Sequence, residues 1–205
     1  MDQGHDEFEQ EVVAYLRGSG WIVPPSITYH DVFEPHVARA LSARFDPTSL
    51  SIRGQADRVA FLLGAEQSVR VEIKTVGRQH ENLAVELFAF VEHVARACMG
   101  GQCVYAVRHA SGREYGFRVD VDVADAVDAV LVPYRWTDAE MASLIQRTSS
   151  WLRPNVRYVR TPSPTQGSGD PFVLIPGDRL AEFRHWQAPF LDFKTTAKGL
   201  WHATN

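Results

Sequence analysis

Apolar and ionic residues alternate strictly between positions 69 and 74, where the sequence reads Val-Arg-Val-Glu-Ile-Lys. Successive side chains of a β-strand point to opposite faces, so the pattern predicts a strand with its three aliphatic residues on one face. The carboxylate of Glu72 and the ammonium of Lys74 then share the other face. A single strand therefore presents two groups of opposite charge side by side.

A second apolar run, over residues 58–63, predicts the partner of this strand, and the intervening residues 64–68 suit a hairpin connection. Asp57 stands immediately before the run. Folding the hairpin brings Asp57 toward Glu72 and Lys74, so the sequence predicts that two carboxylates and a lysine converge.

Helical spacing of apolar residues predicts helices over residues 6–17, 35–45 and 81–99. Glycines follow the first and the third of these segments and are typical of helix ends. Alternation predicts further strands over 102–109 and 115–121. Because a helix lies between two strands, the pattern favours an α/β fold with a mixed central sheet flanked by helices.

The second half of the chain is predicted less completely. A capping box at residues 137–140 opens a helix that reaches residue 151, residues 161–171 have the composition of a loop, and residues 172–176 suit a last strand. A basic and aromatic tail follows, and these elements together form a C-terminal extension beyond the central sheet.

Length and composition favour a single domain over residues 1–205, because 45% of the residues are hydrophobic and the chain can bury a full core. The two cysteines do not make a disulfide framework, and the N-terminus has no signal-peptide pattern. No apolar run approaches the ~20 residues that a membrane-spanning helix needs. We therefore expect a soluble, cytoplasmic protein without a membrane partner.

The charge is unevenly distributed, although the formal net charge of −4 argues against a generic polyanion binder. Residues 35–80 carry seven basic and four acidic residues, and residues 147–205 carry eight and four. Both segments are locally basic, which permits a surface that follows phosphates.

The predicted convergence of Asp57, Glu72 and Lys74 has two interpretations. Hard oxygen ligands beside an amine suit a Mg²⁺ site with a group near the attacking water. The simpler alternative is a solvated strand face with an ion pair. Similarly, Glu9 lies off the apolar stripe of the first helix, where acids also suit a helix N-terminus.

A zinc site is a weaker candidate. His93, Cys98 and Cys103 have His-x4-Cys-x4-Cys spacing, but the spacing is loose and no fourth ligand is obvious. Cys98 fits the buried stripe of its predicted helix, so the sequence favours core cysteines.

The arrangement of Glu9, Asp57, Glu72 and Lys74 resembles the core positions of the PD-(D/E)XK nuclease superfamily. Within that superfamily it is most similar to the restriction-endonuclease-like and Holliday-junction-resolvase-like branch. Glu9 precedes the Gly20-Trp21 pair by eleven residues, Asp57 heads one strand, and Glu72-x-Lys74 lies in the next. Ala56 replaces the proline of the family name. The resemblance covers about residues 6–108, and it implies a nuclease-like core over about 6–122 with an extension over about 123–205.

The resemblance implies a metal-dependent nuclease that hydrolyses phosphodiester bonds in nucleic acid, with DNA favoured over RNA. Asp57, Glu72 and the main-chain carbonyl of Ile73 would bind Mg²⁺, with Mn²⁺ as a substitute. Glu9 would act through a water or bind a second ion, and Lys74 would orient or deprotonate the attacking water.

Nucleic acid is the implied partner, and cleavage of both strands of a duplex would favour a homodimer. Several residues near the predicted site are candidates for phosphate contacts. They are Arg53, Arg58, Arg78, Gln79 and His80. The alternative function is a non-catalytic module that binds nucleic acid or protein on a degenerate nuclease-like fold, with the basic and aromatic C-terminus as its contact surface.

Overall fold

The computed structural model describes residues 3–26, 33–42, 52, 55–62, 67–86, 89–90, 92–93, 96, 101–119, 157–160, 171–175, 177–180 and 185–191. The predicted helix at 137–151 and residues 161–170 of the predicted loop at 161–171 lie outside these ranges. The helices are α1 (Gln3–Gly18), α2 (Pro35–Ser42) and the single turn α3 (Gly177–Leu180). The strands are β1 (Trp21–Ile22), β2 (Arg58–Leu62), β3 (Gln67–Val76), β4 (Leu83–Glu86), β5 (Gln102–His109), β6 (Glu114–Arg118), β7 (Arg157–Arg160) and β8 (Pro171–Ile175).

Five strands form the central sheet in the order β1-β2-β3-β5-β6. Strands β3 and β5 are parallel, and the other neighbours are antiparallel. Parallel neighbours need a crossover connection, which here includes β4 and the helical residues at 89–90, 92–93 and 96. The predicted α/β fold with a mixed central sheet and flanking helices is thus confirmed.

The predicted helix over residues 81–99 is wrong at its start. Residues Leu83–Glu86 form β4, which pairs with β8 in a second sheet of order β4-β8-β7. Leu83 and Val85 are buried while Ala84 and Glu86 are exposed, so the segment follows the two-residue period of a strand. Pairing with a distant strand outweighs the helical spacing, and the described helical residues begin only at 89.

The hydrophobic core lies between α1 and the central sheet. Phe8, Val12 and Leu16 form the buried stripe of α1 and pack in one cluster with residues of β2, β3 and β5. Trp186 and Phe190, from the predicted C-terminal extension, belong to this same cluster. The division at residues 122 and 123 stays a prediction, but part of the C-terminal segment completes the core of the central sheet.

Gly116 in β6 allows this C-terminal segment to approach the sheet. A Cβ atom at Gly116 would overlap the backbone of Trp186. We expect Gly116→Ala to lower the free energy of unfolding by about 1 to 3 kcal/mol, the usual cost of overpacking. Gly18→Ala is the matched control because nothing lies within 4 Å of its added Cβ. Urea unfolding measures both variants, and equal stabilities would contradict the proposed contact.

None of the helices in the described part of the chain is both long and apolar enough to cross a membrane.

Candidate active site

The β2-β3 hairpin places Asp57 beside Glu72. Arg58 pairs with Val71 in the antiparallel register, so the residue before β2 lies opposite the residue after Val71. Cross-strand neighbours of this kind point to the same face of a sheet. In addition, the backbone amide of Ile73 donates a hydrogen bond of 2.6 Å to Asp57 Oδ2. The carboxylate of Asp57 is therefore fixed against the middle of β3.

Glu72 and Lys74 occupy the face of β3 that the sequence pattern assigns to them. Val69, Val71 and Ile73 are fully buried on the opposite face. Glu72 is only 5% exposed, and its Oε1 atom lies 2.6 Å from Lys74 Nζ. The Lys74 side chain is 31% exposed, so the ammonium lies between a buried carboxylate and solvent.

Two carboxylates near each other in a partly buried site repel. Burial and the Glu72 carboxylate raise the pKa of Asp57 from 3.8 to about 6, although Lys74 and the Ile73 amide act in the opposite direction. Burial alone would lower the pKa of Lys74, but Glu72 and Asp57 together raise it above its ordinary range. The site therefore stabilises the charged form of Lys74 and destabilises the charged form of Asp57.

Glu9 reaches the same end of the hairpin from helix α1, but it is engaged with a cation. Its Oε1 atom lies 2.7 Å from the guanidinium of Arg58, and both side chains are about one fifth exposed. Burial raises the pKa of Glu9, Arg58 opposes this effect, and Asp57 adds to it. The Asp57 carboxylate therefore destabilises the charged form of Glu9, and the guanidinium of Arg58 stabilises it.

Sequence reasoning missed a buried pair behind Glu72. His93 is fully buried, with Nδ1 2.8 Å from the Tyr105 hydroxyl and Nε2 3.8 Å from Glu72 Oε2. Tyr105 is also the β5 residue in register with Glu72. The sequence signal for His93 is its place in the loose His-x4-Cys-x4-Cys spacing, which gives no indication of a contact with Glu72.

Among the described residues, no group of three His, Cys, Asp or Glu side chains is placed to hold a metal ion. A closed zinc site needs such a group, and Cys98 of the zinc candidate lies outside the described residues. Mg²⁺ needs less from the protein, because it keeps several waters and often binds through one or two carboxylates. Asp57 and Glu72 supply two, and Glu72 Oε2 is buried without a hydrogen-bond partner in the described structure. The donor set therefore fits Mg²⁺ better than Zn²⁺.

The candidates for phosphate contacts are placed differently from one another. Arg53 lies outside the described residues, and Arg58 is paired with Glu9. Arg78, Gln79 and His80 are exposed on the turn after β3. They line a groove of about 570 Å³ that Lys74 also lines. The turn thus provides open polar surface directly beside the candidate site.

Comparison with known proteins gives a structural likeness. No family model matches the chain, and no curated protein matches it. Among solved structures, the chain is similar to Hjc, a Holliday junction resolvase from Archaeoglobus fulgidus, with 10% sequence identity and a TM-score of 0.43. The alignment covers 91% of this chain and 94% of the resolvase.

Proposed function

We propose that the protein is a metal-dependent nuclease that hydrolyses phosphodiester bonds, and that DNA is its substrate. One observation carries the proposal: Asp57, fixed by the Ile73 amide, lies beside the buried Glu72, and this carboxylate pair is incompletely neutralised. A divalent cation bound between the two side chains would remove their repulsion. A purely structural ion pair would need only Glu72 and Lys74.

Asp57 and Glu72 would hold Mg²⁺, or Mn²⁺ as a substitute, and the main-chain carbonyl of Ile73 is the third candidate ligand. When bound, the ion would offset the negative charge that develops on the phosphoryl oxygens. The pairing of Glu9 with Arg58 favours an indirect role for Glu9 over direct ligation of the ion.

Lys74 would orient the attacking water. Its pKa is raised by Glu72 and Asp57, so the side chain carries its proton at neutral pH and is a hydrogen-bond donor. This favours orientation of the water, or stabilisation of the developing charge, over removal of a proton. Because the Lys74 side chain is 31% exposed, water and substrate have access to it.

Substrate contacts beyond the scissile phosphate would come from the turn that follows β3. Arg78, Gln79 and His80 line the groove beside Lys74, where one cation and two polar side chains suit the sugar-phosphate backbone. Such contacts fix the position of the substrate and carry no sequence information. Attack on both strands of a duplex would favour a homodimer.

The test is cleavage of circular and linear DNA, single- and double-stranded, and of RNA, in Mg²⁺ or Mn²⁺ and in EDTA. We expect cleavage of DNA with either metal and none in EDTA. Glu72→Gln should lose activity at least 100-fold, whereas Glu7→Gln, at an exposed position of α1, should retain it. Metal-independent binding without cleavage by the wild-type protein would instead favour the non-catalytic module.

Metal affinity should depend on pH through Asp57. Since its pKa is raised to about 6, Asp57 of the metal-free protein is largely protonated at pH 5 and ionised at pH 7. A metal must displace that proton, so affinity should fall about tenfold for each pH unit below 6. Calorimetric titration with Mn²⁺ between pH 5 and pH 7.5 measures this. An affinity that stays constant over the range would contradict the assignment of Asp57 as a ligand.

A further inference from the structure

His93 is buried at the inner side of the proposed metal site, and none of the roles above uses it. The distance from His93 Nε2 to Glu72 Oε2, 3.8 Å, is too long for a hydrogen bond but short for two polar atoms in a buried site. The other ring nitrogen is 2.8 Å from the Tyr105 hydroxyl. The imidazole therefore lies between the hydroxyl of Tyr105 and the carboxylate of Glu72.

The identity of the atoms decides where the proton of His93 lies. Oε2 of Glu72 is an acceptor, so a lone pair on Nε2 would face another lone pair across a site with almost no exposed surface. Repulsion of that kind is costly where water cannot intervene. A proton on Nε2 turns the same contact into an attraction, and the Tyr105 hydroxyl can then donate to Nδ1.

The surroundings of Tyr105 hold this arrangement in place. Its ring stacks on Phe117 with centroids 4.9 Å apart and planes inclined by 11°. The ring centroid of Phe90 lies 6.4 Å from that of Tyr105. Tyr105 also neighbours Glu72 in the β3-β5 register. Hydroxyl, imidazole and carboxylate are thus fixed by three separate elements.

We infer that His93 is a positioning residue, whose Nε2–H group faces the carboxylate of Glu72 and holds it in the orientation that binds the metal. Glu72 then has its two oxygens differently placed: Oε1 is paired with Lys74, and Oε2 faces His93 without forming a hydrogen bond. Oε2 is oriented but keeps its capacity to bind a cation. The inference rests on the proposed function, because it assigns His93 a role toward the same metal.

A first test needs no metal. Long-range ¹H–¹⁵N correlation spectra of the metal-free protein report which nitrogen of a histidine ring carries the proton. We expect a proton on His93 Nε2. A neutral ring protonated only on Nδ1 would overturn the inference, whatever the protein binds or cleaves.

A second test uses two substitutions that separate the ring nitrogens. The amide of His93→Gln reaches the position of Nε2, whereas that of His93→Asn reaches only Nδ1. In calorimetric Mn²⁺ titrations we expect His93→Gln to stay within about threefold of the wild type and His93→Asn to bind 10- to 100-fold more weakly, as for other residues that orient metal ligands. Equal affinities of two folded variants would contradict the role of Nε2.

Tyr105→Phe keeps the test decisive if His93→Asn does not fold. Removal of the hydroxyl leaves the Phe117 stacking surface intact but removes the donor to Nδ1, so we expect weaker Mn²⁺ binding and a changed His93 ring signal. An unchanged ring signal would contradict the inference. Failure of the wild-type protein to bind Mn²⁺ would instead refute the proposed function, while the protonation state of His93 would still be measured independently.

Discussion

Asp57→Asn is expected to abolish Mg²⁺-dependent cleavage and, at the same time, to stabilise the metal-free protein at neutral pH. The ionised carboxylate is unfavourable in the fold because burial and Glu72 raise its pKa to about 6. Asparagine removes the charge, and its side-chain carbonyl can still accept the hydrogen bond that the Ile73 amide donates. An active-site residue would thus be replaced with a gain in stability and a loss of function.

The sign of the effect follows from the two states of the protein. In the unfolded chain the pKa of Asp57 returns to 3.8, so between pH 4 and pH 6 the folded protein binds more protons than the unfolded one. Stability of the wild type should therefore fall as pH rises through this window, and the advantage of Asp57→Asn should grow to about 1 to 3 kcal/mol at pH 7. Below pH 4 the two proteins should be nearly equal.

Thermal unfolding in EDTA from pH 4 to pH 7.5 measures this difference. Glu34→Gln, at an exposed position next to α2, is the matched control for removal of one negative charge. An Asp57→Asn protein that is less stable than the wild type at pH 7 would contradict the raised pKa. Added Mg²⁺ should stabilise only the wild type and the control.

Lys74→Gln is expected to lose cleavage at least 100-fold and to destabilise the fold, for two separable reasons. Under the role proposed for Lys74, activity falls because glutamine is a weaker hydrogen-bond donor to the attacking water. The stability falls because Glu72, only 5% exposed, loses the partner at 2.6 Å and becomes an unpaired buried charge. Loss of one partner of a buried ion pair costs roughly 3 to 5 kcal/mol. Because Lys74 is partly exposed, the expected cost here is about 3 kcal/mol or below.

The double variant Glu72→Gln/Lys74→Gln separates these effects. Removal of both charges takes away the uncompensated carboxylate, so most of the stability lost in Lys74→Gln should return while cleavage stays absent. Urea unfolding of the two single variants and the double variant gives the coupling energy. A double variant as unstable as Lys74→Gln would show that the pair matters through packing and not through charge.

The central hairpin could be predicted because its pattern is local and unambiguous. Strict alternation from residue 69 to residue 74 fixes the faces of β3, and a short connection fixes β2 as its neighbour. The position of Asp57 opposite Glu72 follows from that register alone. The core stripe of α1 was equally predictable, since Phe8, Val12 and Leu16 recur at helical spacing and are all fully buried.

Strand β4 could not be predicted, because its conformation depends on a partner far along the chain. Leu83 fits both a helical stripe and a strand, and Leu83 pairs with Ile175 across more than ninety residues of sequence. Single-sequence periodicity cannot show such a contact. The predicted helix is correct at the described residues 89–90, 92–93 and 96, which lie beyond β4.

The convergence of Asp57, Glu72 and Lys74 could be predicted, but the partners of these residues could not. Spacing alone pointed to Asp57, Glu72 and Lys74, but it gave no sign that Arg58 would turn to Glu9. It also gave no sign that His93 would lie behind Glu72, because that contact depends on how the helical residues at 92–93 pack against β5. These are tertiary contacts between elements whose relative positions the sequence pattern leaves open.

The most direct test of the account is anomalous diffraction from crystals soaked in Mn²⁺. We predict one strong anomalous peak within bonding distance of a carboxylate oxygen of both Asp57 and Glu72, absent from crystals of Asp57→Asn. A fully occupied Mn²⁺ at any other place in the protein, with none between these two carboxylates, would contradict the proposed metal site and the nuclease function with it.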